Sequence, residues 1–314
     1  ITCTVEHQSI LEPLRALGRE GLQTTEVGVT SEGLLLPAEV ADAVRKNTVL
    51  VSIQLVNSEM GAIEPVREIA KEIRRIRSSR TEASPTLQAS VAETSVLSPL
   101  PLYFHTDASQ APLWVDVNVE RLGVDLMTLD AQKVLGPKGI GALYVRRGTP
   151  IESILWGGKQ EQGLRGGTEN TPQAGAFAVA LQDAVSGVEK RAVTMAAVRD
   201  YLAAEIQKQI PDAVINGPAV GGGKRAANNL NVSVPGLDAE MAVVSLDALG
   251  VAASTRSACN IGADEPSHVI KALGVPREMA GTAIRITLLP SATHAEARHI
   301  AQALAETAQR YRRS

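Results

Sequence analysis

Six side chains in this chain could do chemistry, and each stands in a local setting that says which. Lys133 lies in Thr128-Leu129-Asp130-Ala131-Gln132-Lys133-Val134-Leu135-Gly136-Pro137-Lys138-Gly139, directly after an apolar run and before a glycine-rich turn. A lysine there suits Schiff-base chemistry on a carbonyl, which needs a partly desolvated amine; a solvated loop lysine fits the position as well. The Walker phosphate-loop spacing is absent. Cys259 sits in the small, polar stretch Ser257-Ala258-Cys259-Asn260-Ile261-Gly262, with Arg256 close by to favour a thiolate. Most lone cysteines are inert core residues, and Cys3, inside the apolar opening segment, is read that way. Asp107 ends an apolar run, where a carboxylate is costly unless it is bonded. It either caps a turn or keeps an aromatic ring nitrogen protonated, so that the ring acts as an electron sink. Arg285 interrupts an apolar strand, and its fork suits a carboxylate, from a substrate or a neighbouring acid. His7 either sits by a helix cap or lays its flat ring on an aromatic group and moves protons near neutral pH. Thr168, before a long helical segment, suits a phosphate at a helix N-terminus or plain capping.

These residues must be held by something. Residues 1–5 form a short β-branched run, and 8–20 have helical spacing of Ile10, Leu14 and Leu17 with Gly21 as a stop. Residues 37–46 and 65–77 are predicted helices, and 48–56 is a continuous apolar run of the buried parallel-strand kind. Residues 102–105, 126–129 and 142–145 are further short strands. Strands alternating with helices predict a mostly parallel sheet covered on both faces, with ligands at the strands' carboxyl ends. Asn57, Asp107 and 130–133 then share one rim. Residues 78–99, rich in Ser, Thr, Ala and Glu, are predicted to be a surface insertion. A long helix over 172–190 leads to a second unit with strands at 230–234 and 283–288, a helix over 238–249, a loop at 254–262 and a last helix from Thr293.

The 314 residues allow one large or two medium domains with a substantial core. The division expected is a large domain over 1–188, with 78–99 as its insertion, and a small one over 189–314 carrying the Cys259 loop. A net charge of −3 argues against nucleic acid and anionic membrane as partners. No apolar run approaches the roughly 20 residues of a membrane span. Two distant cysteines make no disulfide framework and suit a reducing, cytoplasmic setting. No secretory signal is visible. The chain opens on Ile-Thr-Cys-Thr-Val without a methionine, so a natural N-terminal portion is expected to be missing.

In order along the chain, Thr4-Val5-Glu6-His7, Val56-Asn57-Ser58-Glu59-Met60-Gly61, His105-Thr106-Asp107-Ala108-Ser109-Gln110, Lys133-Val134-Leu135-Gly136-Pro137-Lys138-Gly139, Arg165-Gly166-Gly167-Thr168, Asn228-Asn229-Leu230-Asn231 and Ser257-Ala258-Cys259 with Glu265-Pro266-Ser267 resemble the NifS/IscS-type cysteine desulfurases. These are class V aminotransferases with the pyridoxal-phosphate (PLP)-dependent, aspartate aminotransferase-like fold. The resemblance implies an α/β fold: a mostly parallel large domain and a smaller α+β domain. It implies an enzyme that takes sulfur from L-cysteine, releases L-alanine and leaves a persulfide on Cys259 for iron–sulfur or thio-cofactor biosynthesis. Lys133, Cys259 and His7 would be catalytic. PLP would be held by Lys133, Asp107, Gln110, His7, Ser58, Gln132 and Thr168, the last across a homodimer interface. Arg285 and Asn57 would bind substrate. No metal is implied; a sulfur-acceptor protein such as an iron–sulfur scaffold is. The pattern departs in places: Asp130 and Gln132 stand where the family has Ser and His, Ser58 replaces a second Asn, and the family's N-terminal phosphate loop precedes the first residue. Selenocysteine lyase or another class V PLP enzyme, and a PLP-poor binding protein without catalysis, remain open.

Overall fold

The computed structural model describes residues 1–82, 100–255 and 266–312. Its main sheet is built on the apolar runs seen in the sequence. β1 (Thr2–Cys3) pairs in parallel with β2 (Glu26–Val27), and β3 (Leu50–Ser52), β4 (Tyr103–Asp107) and β5 (Leu126–Asp130) follow in parallel. The backbone N–H of Ser52 donates to the Ile1 carbonyl at 2.9 Å, which joins β1 to β3. β6 (Gly141–Val145) closes the far edge antiparallel to β5, a reversal that the short turn after Lys133 permits.

Local signals fix the helices. α1 (Gln8–Arg19) starts with His7 as its N-cap, and α2 (Pro37–Asp42) starts on proline. α3 (Val66–Glu82) is longer than its apolar spacing indicated and takes in residues 78–82, which the sequence had assigned to the insertion; 83–99 lie outside the described residues. α4 (Val119–Leu122) is capped by Asn118. The predicted single helix over 172–190 is two. α5 (Thr171–Val185) ends at Ser186, and Gly187, at φ 75°, starts α6 (Val188–Gln209). That left-handed turn favours glycine, which has no Cβ to crowd it.

β7 (Val214–Asn216), β8 (Asn229–Ser233) and β9 (Ala283–Thr287) form a separate antiparallel sheet, with α7 (Ala239–Ala248), α8 (His268–Ala272) and α9 (Arg277–Ala280) among them. α10 (His294–Tyr311) begins with a reciprocal capping box between Thr293 and Glu296 and packs on α6 and α7. Neither β2 nor β7 was predicted; each is too short to show a period.

The two sheets are clasped at one place. Asn229 Nδ2 donates to the carbonyls of Ser58 at 3.3 Å and Glu59 at 3.2 Å, and Asn231 Nδ2 donates to Glu59 at 3.3 Å. Buried Arg225 donates to the carbonyls of Met60, Asn216 and Pro218. Gly61 is at φ 77°, and a Cβ there would stand 2.7 Å from Asn229 Oδ1. The Asn57–Gly61 and Asn229–Asn231 motifs, separate in the sequence, are thus two halves of one joint.

Candidate active site

The carboxyl ends of β3, β4 and β5 set the rim. Asp107, the last residue of β4, is half-buried, and its Oδ1 accepts from the backbone N–H of Ser109 at 2.9 Å. Gln110 follows, also half-buried. Beyond β5 the chain makes a 3₁₀ turn over Ala131–Val134 that carries Lys133, with Leu135 closing it at φ 64°. Lys133 is exposed rather than desolvated as the sequence led one to expect, because the turn lifts it past the edge of the sheet. Asp130 caps this turn: its Oδ1 accepts from the Gln132 N–H at 3.0 Å, so its charge is directed onto its own backbone. Gln132 and Thr168 are exposed.

His7 ends the short loop between β1 and α1. Its Nδ1 accepts from the Ser9 N–H at 3.2 Å and faces the Ser9 hydroxyl at 2.8 Å. The ring is therefore itself the cap of α1 and at the same time part of the site. Burial holds its imidazole below the ordinary value. Asp107 opposes this, while Lys133, His268 and Arg285 reinforce it. Four residues from four different segments thus act on one ring.

Arg285 lies on β9, half-buried, with its backbone bonded both ways to Ser254 at 2.7 and 3.1 Å. Burial lowers its guanidinium, against the opposing charge of Glu59. Among the described residues no ion pair joins Arg285 to a carboxylate, and Glu59 is the acid that acts on it by charge. Asn57 is buried, with its amide turned inward: Nδ2 donates to the Val5 carbonyl at 2.9 Å, and Oδ1 accepts from the N–H groups of Glu59 and Met60. This leaves its amide little free capacity towards a ligand. Ser58, half-buried, lines the cleft beside it. Cys259 and Arg256 lie outside the described residues. Cys3 is fully buried, and its thiol is pushed well up by burial and then by Glu6 and Glu64, as suits an inert residue.

Sequence reasoning missed the layer beneath. His105 is buried between Ser52 Oγ, 2.8 Å from Nδ1, and Thr128 Oγ1, 2.9 Å from Nε2. The belt crosses three strands directly under Asp107. Burial, opposed by Asp107, holds this imidazole below its ordinary value. Strand alternation puts residues 105 and 107 on one face, a signal the sequence did carry. Glu6 is fully buried; its Oε2 accepts from the Gln54 N–H at 3.3 Å, and its Oε1 has no hydrogen-bond partner. Burial, with Asp107 and Glu64 nearby, pushes its carboxyl well above the usual range.

Glu64 is pushed up to about 7 by burial, against one bond from the Leu35 N–H at 2.8 Å. The folded state therefore keeps a proton that the unfolded chain releases from about pH 4.5 upward. Its contribution to stability is whole below that pH, declines as pH rises through about 7, and is flat beyond. Glu64→Gln keeps the acceptor and removes the titration. Its stability relative to the parent is expected to rise by about 3 kcal/mol between pH 4.5 and 8. Urea unfolding at both pH values measures this, and a pH-independent difference would mean that Glu64 is not held neutral.

The donor set fits the ring end of PLP. A lysine amine, a strand-end carboxylate and a guanidinium with no ion pair among the described residues all act by charge on one imidazole, and the carboxylate that sequence places by the phosphate is turned onto its own turn. A profile for "Aminotransferase class-V" matches residues 1–79 and 100–300. A cysteine desulfurase IscS of Dictyoglomus turgidum is 38% identical over 92% of this chain and 66% of its own length. One from Methanosarcina thermophila is 34% identical over 99% of this chain and 70% of its own. A solved NifS-like protein superposes with a TM-score of 0.82 at 29% identity, over 97% of this chain and 73% of that one. The chain thus spans about two thirds of the length of the curated relatives it matches.

Proposed function

The chain belongs to the aminotransferase class-V family, and from that premise we propose that it is a PLP-dependent cysteine desulfurase, converting L-cysteine to L-alanine with the sulfur held on Cys259. The observation that carries this reading is that Asp107, Lys133 and Arg285, from three separate segments, all act by charge on the His7 imidazole. When bound, PLP supplies an electron sink that weakens the bonds around the substrate α-carbon. Arg285, with no ion pair among the described residues, takes the substrate carboxylate in its two-pronged fork. Asp107 and Gln110 would hold the cofactor's ring nitrogen and its surroundings, and the Lys133 amine would hold the cofactor and serve as the base for the substrate α-proton. His7 would lie against the cofactor ring; burial lowers its imidazole, and with Nδ1 accepting from the Ser9 N–H the neutral ring would present Nε2–H as a proton donor. The Cys259 thiolate attacks the substrate sulfur. The carbon–sulfur bond breaks with its electrons left on carbon, which takes a proton to become alanine, and a persulfide remains on Cys259. Ser58, Gln132 and Thr168 would hold the cofactor phosphate, Thr168 from the second subunit of a homodimer. The persulfide sulfur then goes to an acceptor protein.

The test is direct. The purified chain with added PLP is expected to show a visible band that borohydride fixes to the protein, and to form alanine from L-cysteine. A folded protein with neither would retain the family's fold without its chemistry. A band with alanine formed only from selenocysteine would move the substrate to the selenium analogue.

A further inference from the structure

His268 opens α8, far in sequence from the first strand. Its Nε2 stands 3.0 Å from the Glu6 carbonyl, across 262 residues. That carbonyl belongs to the residue directly before His7, and His268 lines the same cleft as Glu6, His7, Asn57 and Ser58. A backbone carbonyl only accepts, so Nε2 carries the proton and donates. The Glu6 side chain holds the same backbone from the other side through the Gln54 N–H. The helix beginning at His268 is itself set by Ser267, whose buried hydroxyl accepts from the N–H groups of Val269 and Ile270 at 3.1 and 3.4 Å.

We propose that His268 is a positioning residue for His7: by donating Nε2–H to the Glu6 carbonyl it fixes the backbone that aims the His7 ring and closes the cleft on the α8 side. This rests on the assignment of His7 to the cofactor face, but the clamp itself exists in the chain without cofactor. The groups facing His7 come from four elements: Asp107 from β4, Lys133 from the turn after β5, Arg285 from β9 and His268 from α8. Of these, His268 is the one that bonds the backbone directly before the ring. It therefore acts on His7 in two ways, through the carbonyl bond and through its own charge when protonated. The bond goes to the Glu6 main-chain carbonyl, while the Glu6 carboxyl, pushed well above the usual range by burial, is turned to the Gln54 N–H.

The test uses the cofactor-free chain, so it stands apart from the fate of the desulfurase reading. The ring signals of the five histidines are followed by NMR against pH, with His7→Gln to assign His7. Exchange of the Ser9 and Ile10 amides, which donate to His7, is measured beside them. In His268→Leu, the His7 midpoint should rise towards the ordinary imidazole value. The two amides should exchange about five- to tenfold faster, as expected for loss of one bond of about 1 kcal/mol. In His268→Gln, whose amide reaches the same carbonyl, slow exchange should return; packing alone would leave this variant as fast as His268→Leu. A folded His268→Leu with both the midpoint and the exchange unchanged overturns the proposal, as does His268→Gln behaving like His268→Leu. If His268→Leu does not fold, His268→Asn, too short to reach, must show the same two changes.

Discussion

In a Lys133→Ala variant, the visible band that borohydride fixes in the parent should be absent, and alanine formation from L-cysteine should fall by roughly 10³-fold or more. The effect would be large because, in the proposed reaction, one amine serves twice, as the point of attachment for PLP and as the base for the α-proton. No second lysine can stand in: Lys138 lies beyond the tight turn at Leu135 and Gly136, outside the 3₁₀ segment that projects Lys133 at the end of β5. The loss should not come from unfolding, since Lys133 is exposed and the turn is capped by Asp130 rather than by the lysine. Lys133→Arg separates charge from nucleophilicity; it should keep the fold and the positive field at His7 yet show no fixed band. A band surviving borohydride in the alanine variant would place the attachment elsewhere and remove the basis for the site.

Replacing Cys259 with serine should leave that band intact and reduce sulfide and alanine release from cysteine by roughly 10²-fold or more, since a hydroxyl at neutral pH neither ionises nor forms a persulfide. The two variants therefore divide the reaction: Lys133 for events at the α-carbon, Cys259 for events at sulfur. Cys3 is the internal control. It is fully buried, and its thiol is held protonated by burial and by Glu6 and Glu64. Cys3→Ala should retain catalysis at some cost in stability. Persulfide labelled by mass spectrometry on Cys259 after exposure to cysteine is the positive result. Undiminished sulfide release in Cys259→Ser would mean that sulfur leaves by another route.

Much of the fold was legible from short-range signals. The helix over residues 8–20 appears as α1 with its glycine stop just beyond, and the last helix starts at Thr293 through a capping box. The apolar runs ending at Asp107 and Asp130 became adjacent parallel strands. The single helix expected over 172–190 failed because apolar periodicity runs across Ser186 and Gly187, while Gly187 takes a left-handed turn that periodicity does not register. The exposure of Lys133 was missed for a related reason. A lysine beside an apolar strand looks desolvated until the geometry of the turn is known.

The sequence by itself determined which chemical groups were present and the order in which they came. A strand-end aspartate, a lysine in a glycine-rich turn and an arginine inside an apolar strand follow from spacing and side-chain type, which are local properties. Tertiary structure alone decided which of them meet. The bond from His268 to the Glu6 carbonyl spans 262 residues, and that from Asn229 to the Ser58 carbonyl spans 171. Their acceptors are main-chain oxygens, which every residue has and which therefore leave no mark in the sequence. The buried His105 belt stands between the two cases, since alternation placed it on the face of Asp107 but only packing supplied Ser52 and Thr128. Protonation was decided at the same level: Glu6 and Glu64 are ordinary carboxylates as residue types, and it is the loss of water around them in the fold that pushes both upward.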